Sequence, residues 1–295
     1  MDTTELYALY KPLLFSIAYR LLGSVTDAED IVQETFLVWT EQSRAAAVTN
    51  VKPYLCRIVS NLCADRIRQQ TRQREAYAGP WLPAPIVEDG SGPEDICLRK
   101  DTLNTAYLLL LQQLNEVERI VFVLREAFGF SYDEIADITG KSAANCRQIF
   151  RRARRGMPGD PEVQSPAPVR TERAHRIVEQ FMQSFERGDI SRVMELLTAD
   201  AVLLTDGGGK VKAALKPIVT AERVVAFFQG TAGKLPPGVS ARAATVNGLP
   251  GLVFSLGETV LYVFSLAFDG DRISRFYMIA NPDKLKHLNT SGKGS

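Results

Sequence analysis

Residues 131–155 read SYDEIADITGKSAANCRQIFRRARR. Ser131, followed three residues on by Glu134, is the pattern of a reciprocal helix N-cap, in which hydroxyl and carboxylate each take a backbone N–H. Gly140 supplies a left-handed stop, and Ser142 caps the helix that follows. That helix carries five arginines (Arg147, Arg151, Arg152, Arg154, Arg155) and no acid, while Ile149, Phe150 and Ala153 recur at the spacing of a buried face. Short helix, glycine turn, second helix: the pattern predicts a helix-turn-helix. Charges of one sign repel unless a counter-charge is present, so the second helix is expected to meet a polyanion. In this motif the second helix enters the major groove of DNA. That geometry places Ser142, Ala143, Asn145, Cys146 and Arg147 at base edges, and Arg151, Arg152, Arg154 and Arg155 at phosphates.

The basic character is local, because the whole chain of 295 residues has a formal net charge of only +1. Hydrophobic residues make up 45% and charged residues 23%, ordinary values for a soluble protein. MDTTELYALY has no basic run leading into an apolar core, so no signal peptide is expected. No apolar stretch is long enough for a membrane span. Cys56, Cys63, Cys97 and Cys146 lack paired metal-ligand spacing. A cytoplasmic, reduced protein without metal or cofactor is expected.

Two stretches rich in Pro and Gly, AYAGPWLPAPIVEDGSGPED at 76–95 and GMPGDPEVQSPAPVR at 156–170, read as linkers. They divide the chain into parts at 1–75, 96–155 and 171–288, with a tail at 289–295. In the first part, LYALYKPLLFSIAYRLLG predicts a helix ending at Gly23. TDAEDIVQETFLVWTEQ predicts another, capped by Thr26 with Glu29. Ile31, Val38 and Trp39 face its core side; Asp27, Asp30, Glu34 and Glu41 form an acid stripe opposite, suited to a basic protein partner. VKPYLCRIVSNLCADRIRQQTRQRE predicts a third helix, whose Lys52, Arg57, Arg66, Arg68, Arg72 and Arg74 meet one acid, Asp65. Two basic helices on separate parts suit two DNA elements contacted at once.

The third part changes period. TERAHRIVEQFMQSFERG and DISRVMELLT predict helices; VSARAATVNG, GLVFSL, TVLYVFSLAFDG and RISRFYMIA predict strands with NG and DGD turns. An α+β domain with a curved antiparallel sheet follows. Both faces of TVLYVFSLAF are largely apolar, so one packs on helices and the other lines a pocket or an interface.

DAEDIVQETFLVW resembles region 2.2 of sigma-70-type initiation factors of the extracytoplasmic-function (ECF) class, YLCRIVSNLCADRIRQQ resembles regions 2.3–2.4, and LNEVERIVFVLREAFGFSYDEIADITGKSAANCRQIFRRARR resembles region 4. The likeness spans residues 5–155. It implies two all-α sigma domains, 1–75 and 96–155, with core RNA polymerase (β′ clamp helices and β subunit) and promoter DNA as partners. It implies that Asp27, Asp30, Gln33 and Glu34 bind core polymerase. It further implies that the loop Ser43–Asn50 with Lys52, Arg57, Asn61, Arg66 and Arg68 melts and reads the −10 element, and that Ser142–Arg155 reads the −35 element. The third part resembles the SnoaL-like (NTF2-like) fold, which is fused to ECF factors in one group. Three short motifs carry that likeness: WLPAP at 81–85, with Ala84 where the group often has Glu; DGGGK at 206–210; and NPDKL at 281–285. The resemblance implies an intramolecular regulatory contact with the sigma domains made by Trp81, Pro83, Pro85, Asp206, Gly207, Gly208, Gly209, Lys210, Asn281, Pro282, Asp283 and Lys284.

Two other readings compete. SnoaL-like enzymes use a carboxylate in a conical pocket, and Asp200, Asp206 and Glu258, with Arg242, are the candidates here. Asp206, in a glycine-rich loop, is expected to be exposed and mobile, so no enzyme is expected, although a small-molecule ligand of the cavity stays open. GGGK lacks the remainder of a phosphate-binding loop. A stand-alone helix-turn-helix regulator would need a dimer on a palindrome, which the likeness to region 2 disfavours.

Overall fold

The computed structural model describes residues 3–42, 50–88, 103–157 and 171–290. Cys97 and the expected −10 loop, apart from Asn50, lie outside these residues. Packing draws two compact units. The first holds the chain up to Ala76 and, among the described residues, Tyr107 onward through the helix-turn-helix; the second holds Tyr77–Glu88, Leu103–Ala106 and the C-terminal part.

The first unit opens with three helices, α1 (Thr3–Leu22), α2 (Val25–Gln42) and α3 (Val51–Arg74). Gly23 ends α1 with φ at 66°, a conformation that disfavours any residue with a Cβ. The cap of α2 is Ser24, whose Oγ accepts from Asp27 N at 3.2 Å. Thr26, expected as the cap, lies inside the first turn. Pro53 sits in the first turn of α3, where its missing N–H costs no intrahelical bond. Leu14, Ile17, Leu22 and Leu55 reach zero exposure between the three helices.

Four further helices follow: α4 (Thr105–Leu111), α5 (Glu116–Glu126), α6 (Tyr132–Thr139) and α7 (Ala143–Gly156). Reciprocal caps start α5 (Asn115 with Glu118) and α6 (Ser131 with Glu134). Gly140 stops α6 in the left-handed region, and Ser142 caps α7. Phe122 of α5 stacks on Phe150 of α7 with centroids 5.5 Å apart.

Arg119 clasps the two helical groups of this unit together. It is 3% exposed. Its guanidinium donates to Leu21 O of α1 at 2.8 Å and to Gln112 O and Leu114 O at 3.1 Å each. Burial first, and Arg74 second, lower its pKa to about 10, so it stays charged at neutral pH. Beside it, Arg68 of α3 meets Glu116 at 3.4 Å; at the opposite end of α3, Lys52 lies 5.0 Å from the Phe130 ring.

The second unit is a bent sheet under helices. Its strands are β1 (Val87–Glu88), β2 (Leu197–Asp206), β3 (Ile218–Val219), β4 (Val239–Val246), β5 (Leu249–Leu256), β6 (Thr259–Asp269) and β7 (Arg272–Ile279), in the order β1-β4-β5-β6-β7-β2-β3. Neighbours run antiparallel except β2 and β7, which pair in parallel, so the sheet is mixed rather than purely antiparallel. Register shifts at Leu197/Val202, Phe254/Ser255 and Ala267/Phe268 bend it. α8 (Thr171–Glu186), α9 (Ile190–Glu195) and α10 (Ala221–Ala232) contribute Val178, Val193 and Val224 to a core completed by Leu203, Leu266 and Phe276 of the sheet, all at zero exposure. α11 (Pro282–Thr290) closes the chain with Leu285 at 1% exposure.

Composition assigned 76–95 to a linker, but Tyr77–Glu88 is built into this unit. β1 pairs with β4, Val87 opposite Val246, and Leu82 and Ile86 are buried. We call Tyr77–Glu88 the strap.

Arg119→Ala removes a fork that serves three carbonyls and leaves them without that donor. A loss of about 3 kcal/mol of stability in the helical unit is expected. Urea unfolding followed by Trp39 fluorescence in a Trp81→Phe background measures it. A variant as stable as its parent would contradict the clasp.

Candidate functional site

The helix-turn-helix presents one face of α7 to solvent. Cys146, Ile149, Phe150 and Ala153 point inward. Cys146 has zero exposure and lies 3.7 Å from Thr139 Oγ1, so it packs the motif and cannot touch a base, contrary to expectation. Ala143 is half-buried, whereas Ser142, Asn145, Arg147, Arg151, Arg152, Arg154 and Arg155 are exposed. Arg152 Nε is bound to Glu118 Oε1 at 2.6 Å, which draws it toward α5. The Arg147 guanidinium lies 5.4 Å from the Tyr132 ring. Helical spacing puts Ala144, Gln148, Arg151 and Arg155 along the middle of the open face. Gln148 was missing from the expected base readers, although a Gln can bond an adenine edge with both its groups. Counting four residues on from Ala144 would have found it.

On α2, Asp30, Gln33 and Glu34 are exposed, and so is Leu37, at 65%. Leu37 extends their stripe with an exposed apolar side chain that a charge pattern alone does not reveal. Asp27 departs from the stripe. It is half-buried, paired with Arg66 of α3, and accepts from Gln70 Nε2 at 3.0 Å. Asp27 and Arg66, assigned to polymerase and to DNA respectively, therefore hold each other between two helices. On α3, Arg57, Asn61 and Arg68 are exposed and share a face by their spacing. Arg68 also bonds Asp65 at 2.6 Å. Lys52 is turned toward Phe130 instead. Burial pushes the Cys56 thiol up to about 12 and raises that of Cys63 as well, which leaves both inert as nucleophiles.

In the second unit the three motifs converge on one carboxylate. Asp206, at the end of β2, has zero exposure, the reverse of the mobile loop residue expected. Its Oδ1 accepts from Tyr77 Oη at 2.5 Å and Gly208 N at 3.1 Å. Its Oδ2 accepts from Leu82 N at 2.8 Å and Lys284 Nζ at 2.7 Å. Its carbonyl takes Ala280 N and Asn281 N at 2.8 and 2.9 Å. Burial, reinforced by the bond to Asp206, raises the Tyr77 pKa and keeps the phenol a donor.

Lys284 also donates to Leu82 O and lies 3.7 Å from the Trp81 ring centroid, a cation–π contact largely removed from water. Asn281 Nδ2 donates to Tyr77 Oη at 2.9 Å. Glycine is required in the turn, because a Cβ on Gly207 would stand 2.3 Å from Val211 O and one on Gly208 would stand 2.2 Å from Asn281 Nδ2. Lys210 reaches Asp283 at 2.5 Å and helps hold that carboxyl below its usual range. Pro83, Ala84 and Pro85 are buried; Pro282 is exposed.

Two ties lie farther along the strap, neither in an expected motif. His287 of α11 donates Nε2–H to Pro85 O at 2.8 Å; burial lowers its pKa and favours the neutral ring. Asn247 Oδ1 accepts from Ile86 N at 2.8 Å, and Asn247 Nδ2 reaches Thr105 Oγ1 at 3.0 Å. The Asn-Gly turn was legible as a hairpin, but not its second use as an anchor. The remaining enzyme candidates, Asp200, Arg242 and Glu258, are exposed, and none lines the unit's aromatic cavity.

Two family models match this chain, Sigma-70 region 2 at residues 6–73 and Sigma-70 region 4 at residues 105–157. It is 32% identical to the ECF RNA polymerase sigma factor SigJ of Mycobacterium tuberculosis, over 97% of its own length and 93% of that protein's. The chain belongs to the ECF RNA polymerase sigma factors. The crystal structure of M. tuberculosis SigJ superposes on this sigma factor with a TM-score of 0.77 and 29% identity, covering 97% of this chain and 98% of the other. SigW of Bacillus subtilis, 29% identical, matches 52% of this chain and 85% of its own. The strap and its anchors therefore belong to a unit added to the sigma factor's two standard regions.

Asp206→Asn leaves the Lys284 ammonium, 11% exposed, without its counter-charge, and Lys284→Met strands the carboxylate. Each is expected to destabilise the C-terminal unit by about 3 kcal/mol. The double variant should lose less than the sum, with a coupling above about 1 kcal/mol. Unfolding monitored at Trp81 closes this cycle; additive losses would mean that the two groups act separately.

Proposed function

We propose that this sigma factor directs promoter recognition by core RNA polymerase and that its C-terminal unit restrains it by gripping the strap between regions 2 and 4. Asp30, Gln33, Glu34 and Leu37 supply an acidic, partly apolar face for the β′ clamp helices, and region 4 approaches the β subunit. The α3 face with Arg57, Asn61 and Arg68 serves the −10 element. The α7 face with Asn145, Arg147, Gln148 and Arg151 serves the −35 element.

The observation that carries the restraint is Asp206, a carboxylate with no exposure that binds Tyr77 and Leu82 of the strap. The −10 and −35 elements lie about 25 base pairs apart, roughly 85 Å of DNA at about 3.4 Å per base pair. A packed unit of this size has a radius of gyration of about 13 Å, and Arg119 bonds α5 directly to α1. Both elements are engaged only after the helical unit opens. The strap is part of the chain that joins its two halves, and when extended it adds about 3.3 Å of reach per residue. While Asp206, Asn247 and His287 hold it, that reach is withheld.

In vitro transcription with core polymerase tests the proposal. Asp206→Asn and Trp81→Ala are each expected to raise promoter-dependent output at least about twofold, through loss of an interaction worth more than 0.4 kcal/mol. Output equal to or below that of the parent would contradict the restraint.

A further inference from the structure

The C-terminal unit contains a cavity of about 530 Å³, within the usual range for small-molecule sites. Its wall is aromatic. Phe228 of α10 meets Phe181 of α8 edge-on at 6.1 Å, Phe264 of β6 at 5.9 Å and Phe276 of β7 at 5.2 Å. Phe228 itself remains half-exposed. Two cations, Lys212 and Lys234, also line the cavity, and both are exposed, which places them toward its mouth. No Asp, Glu or His is among the described lining residues. An aromatic floor offers edges and faces to a flat ring, and two ammonium groups without a lining acid favour an anion.

We propose that this cavity binds a small aromatic carboxylate, its ring among Phe181, Phe228 and Phe276 and its carboxylate toward Lys212 and Lys234. No carboxylate or imidazole is among the described lining residues, and the proposal is one of binding.

The cavity is also continuous with the strap's anchor. Val211 and Ala214 line it. Val211 N donates to Gly207 O at 3.1 Å, and Thr205 Oγ1 donates to Ala214 O at 2.9 Å. Gly207 leaves no space for a Cβ beside Val211 O, so the cavity wall is packed directly against the turn that follows Asp206. An occupant that displaces Val211 thus acts on the grip at Asp206. This coupling rests on the restraint proposed above; the binding does not.

Calorimetry on the full-length protein with 2-naphthoate, and with 2-naphthamide as its neutral counterpart, tests the site. Saturable binding of one naphthoate per chain is expected, roughly tenfold tighter than the amide, as one charge-assisted contact provides. A Lys212→Ala/Lys234→Ala variant should lose that preference and keep the amide affinity. Ala232→Trp, at an exposed position on the cavity lining, should block both ligands while the melting temperature stays within a few degrees of the parent's. Absence of saturable naphthoate binding, equal affinity for acid and amide, or undiminished binding by Ala232→Trp would overturn the assignment. Naphthoate that binds as described but leaves transcription unchanged, in a protein whose Asp206→Asn variant responds, would overturn the coupling alone.

Discussion

A charged carboxylate taken wholly out of water is costly unless every lone pair is met. Asp206 satisfies that condition only with the strap in place. Two of its side-chain partners, the Tyr77 phenol and the Leu82 amide, belong to the strap; a third, Lys284, itself binds Leu82 and covers Trp81. Removing the strap would leave a buried acid and a buried base facing each other with much of their bonding lost. The grip is therefore cooperative, and a network of this kind is disrupted as a whole more readily than bond by bond. The three motifs, far apart in sequence, are one site because they share one charge.

The helical unit is held by a second buried charge of opposite sign. Arg119 satisfies three carbonyls at helix ends, where carbonyls lack intrahelical partners. Its bonds to Gln112 O and Leu114 O are local, but its bond to Leu21 O crosses between region 2 and region 4. The basic faces of α3 and α7 are thereby kept in one small body. Under the restraint proposed above, clasp and strap act on the same variable, the separation of the two regions, one through packing and the other through available chain.

Much of this was legible because local rules governed it. The Ser131/Glu134 cap, the Gly140 stop and the apolar spacing of Ile149, Phe150 and Ala153 each act within a few residues, and they gave the helix-turn-helix correctly. The strands from β4 to β7 followed from alternation and turn residues. Errors arose where a distant partner decided. Cys146 has the sequence position of a base reader, but the helix period turns it into the core. Ser24 rather than Thr26 caps α2 because Gly23 already breaks the chain. Asp206 looked mobile among glycines, yet those glycines are there to let the turn close against Asn281 and Val211. The helical period of DISRVMELLT carries through Leu197 and Thr198, but the parallel pairing of Leu197–Asp206 with β7, Leu203 opposite Phe276, makes these residues a strand. Prolines and glycines made the strap look like a free linker, and nothing local announced that β4, Asn247 and Lys284 would bind it. Leu37 and Gln148 went unmarked because neither charge nor burial singles them out before the helix faces are known.

Native-state hydrogen exchange at the Leu82 amide tests the account most directly, since that N–H donates to Asp206 Oδ2 and to nothing else described. The account predicts strong protection of Leu82 in the parent and its loss in Asp206→Asn, while amides of β6 and β7 keep theirs. A Leu82 amide that exchanges freely in the parent, or that remains equally protected in Asp206→Asn, would contradict it.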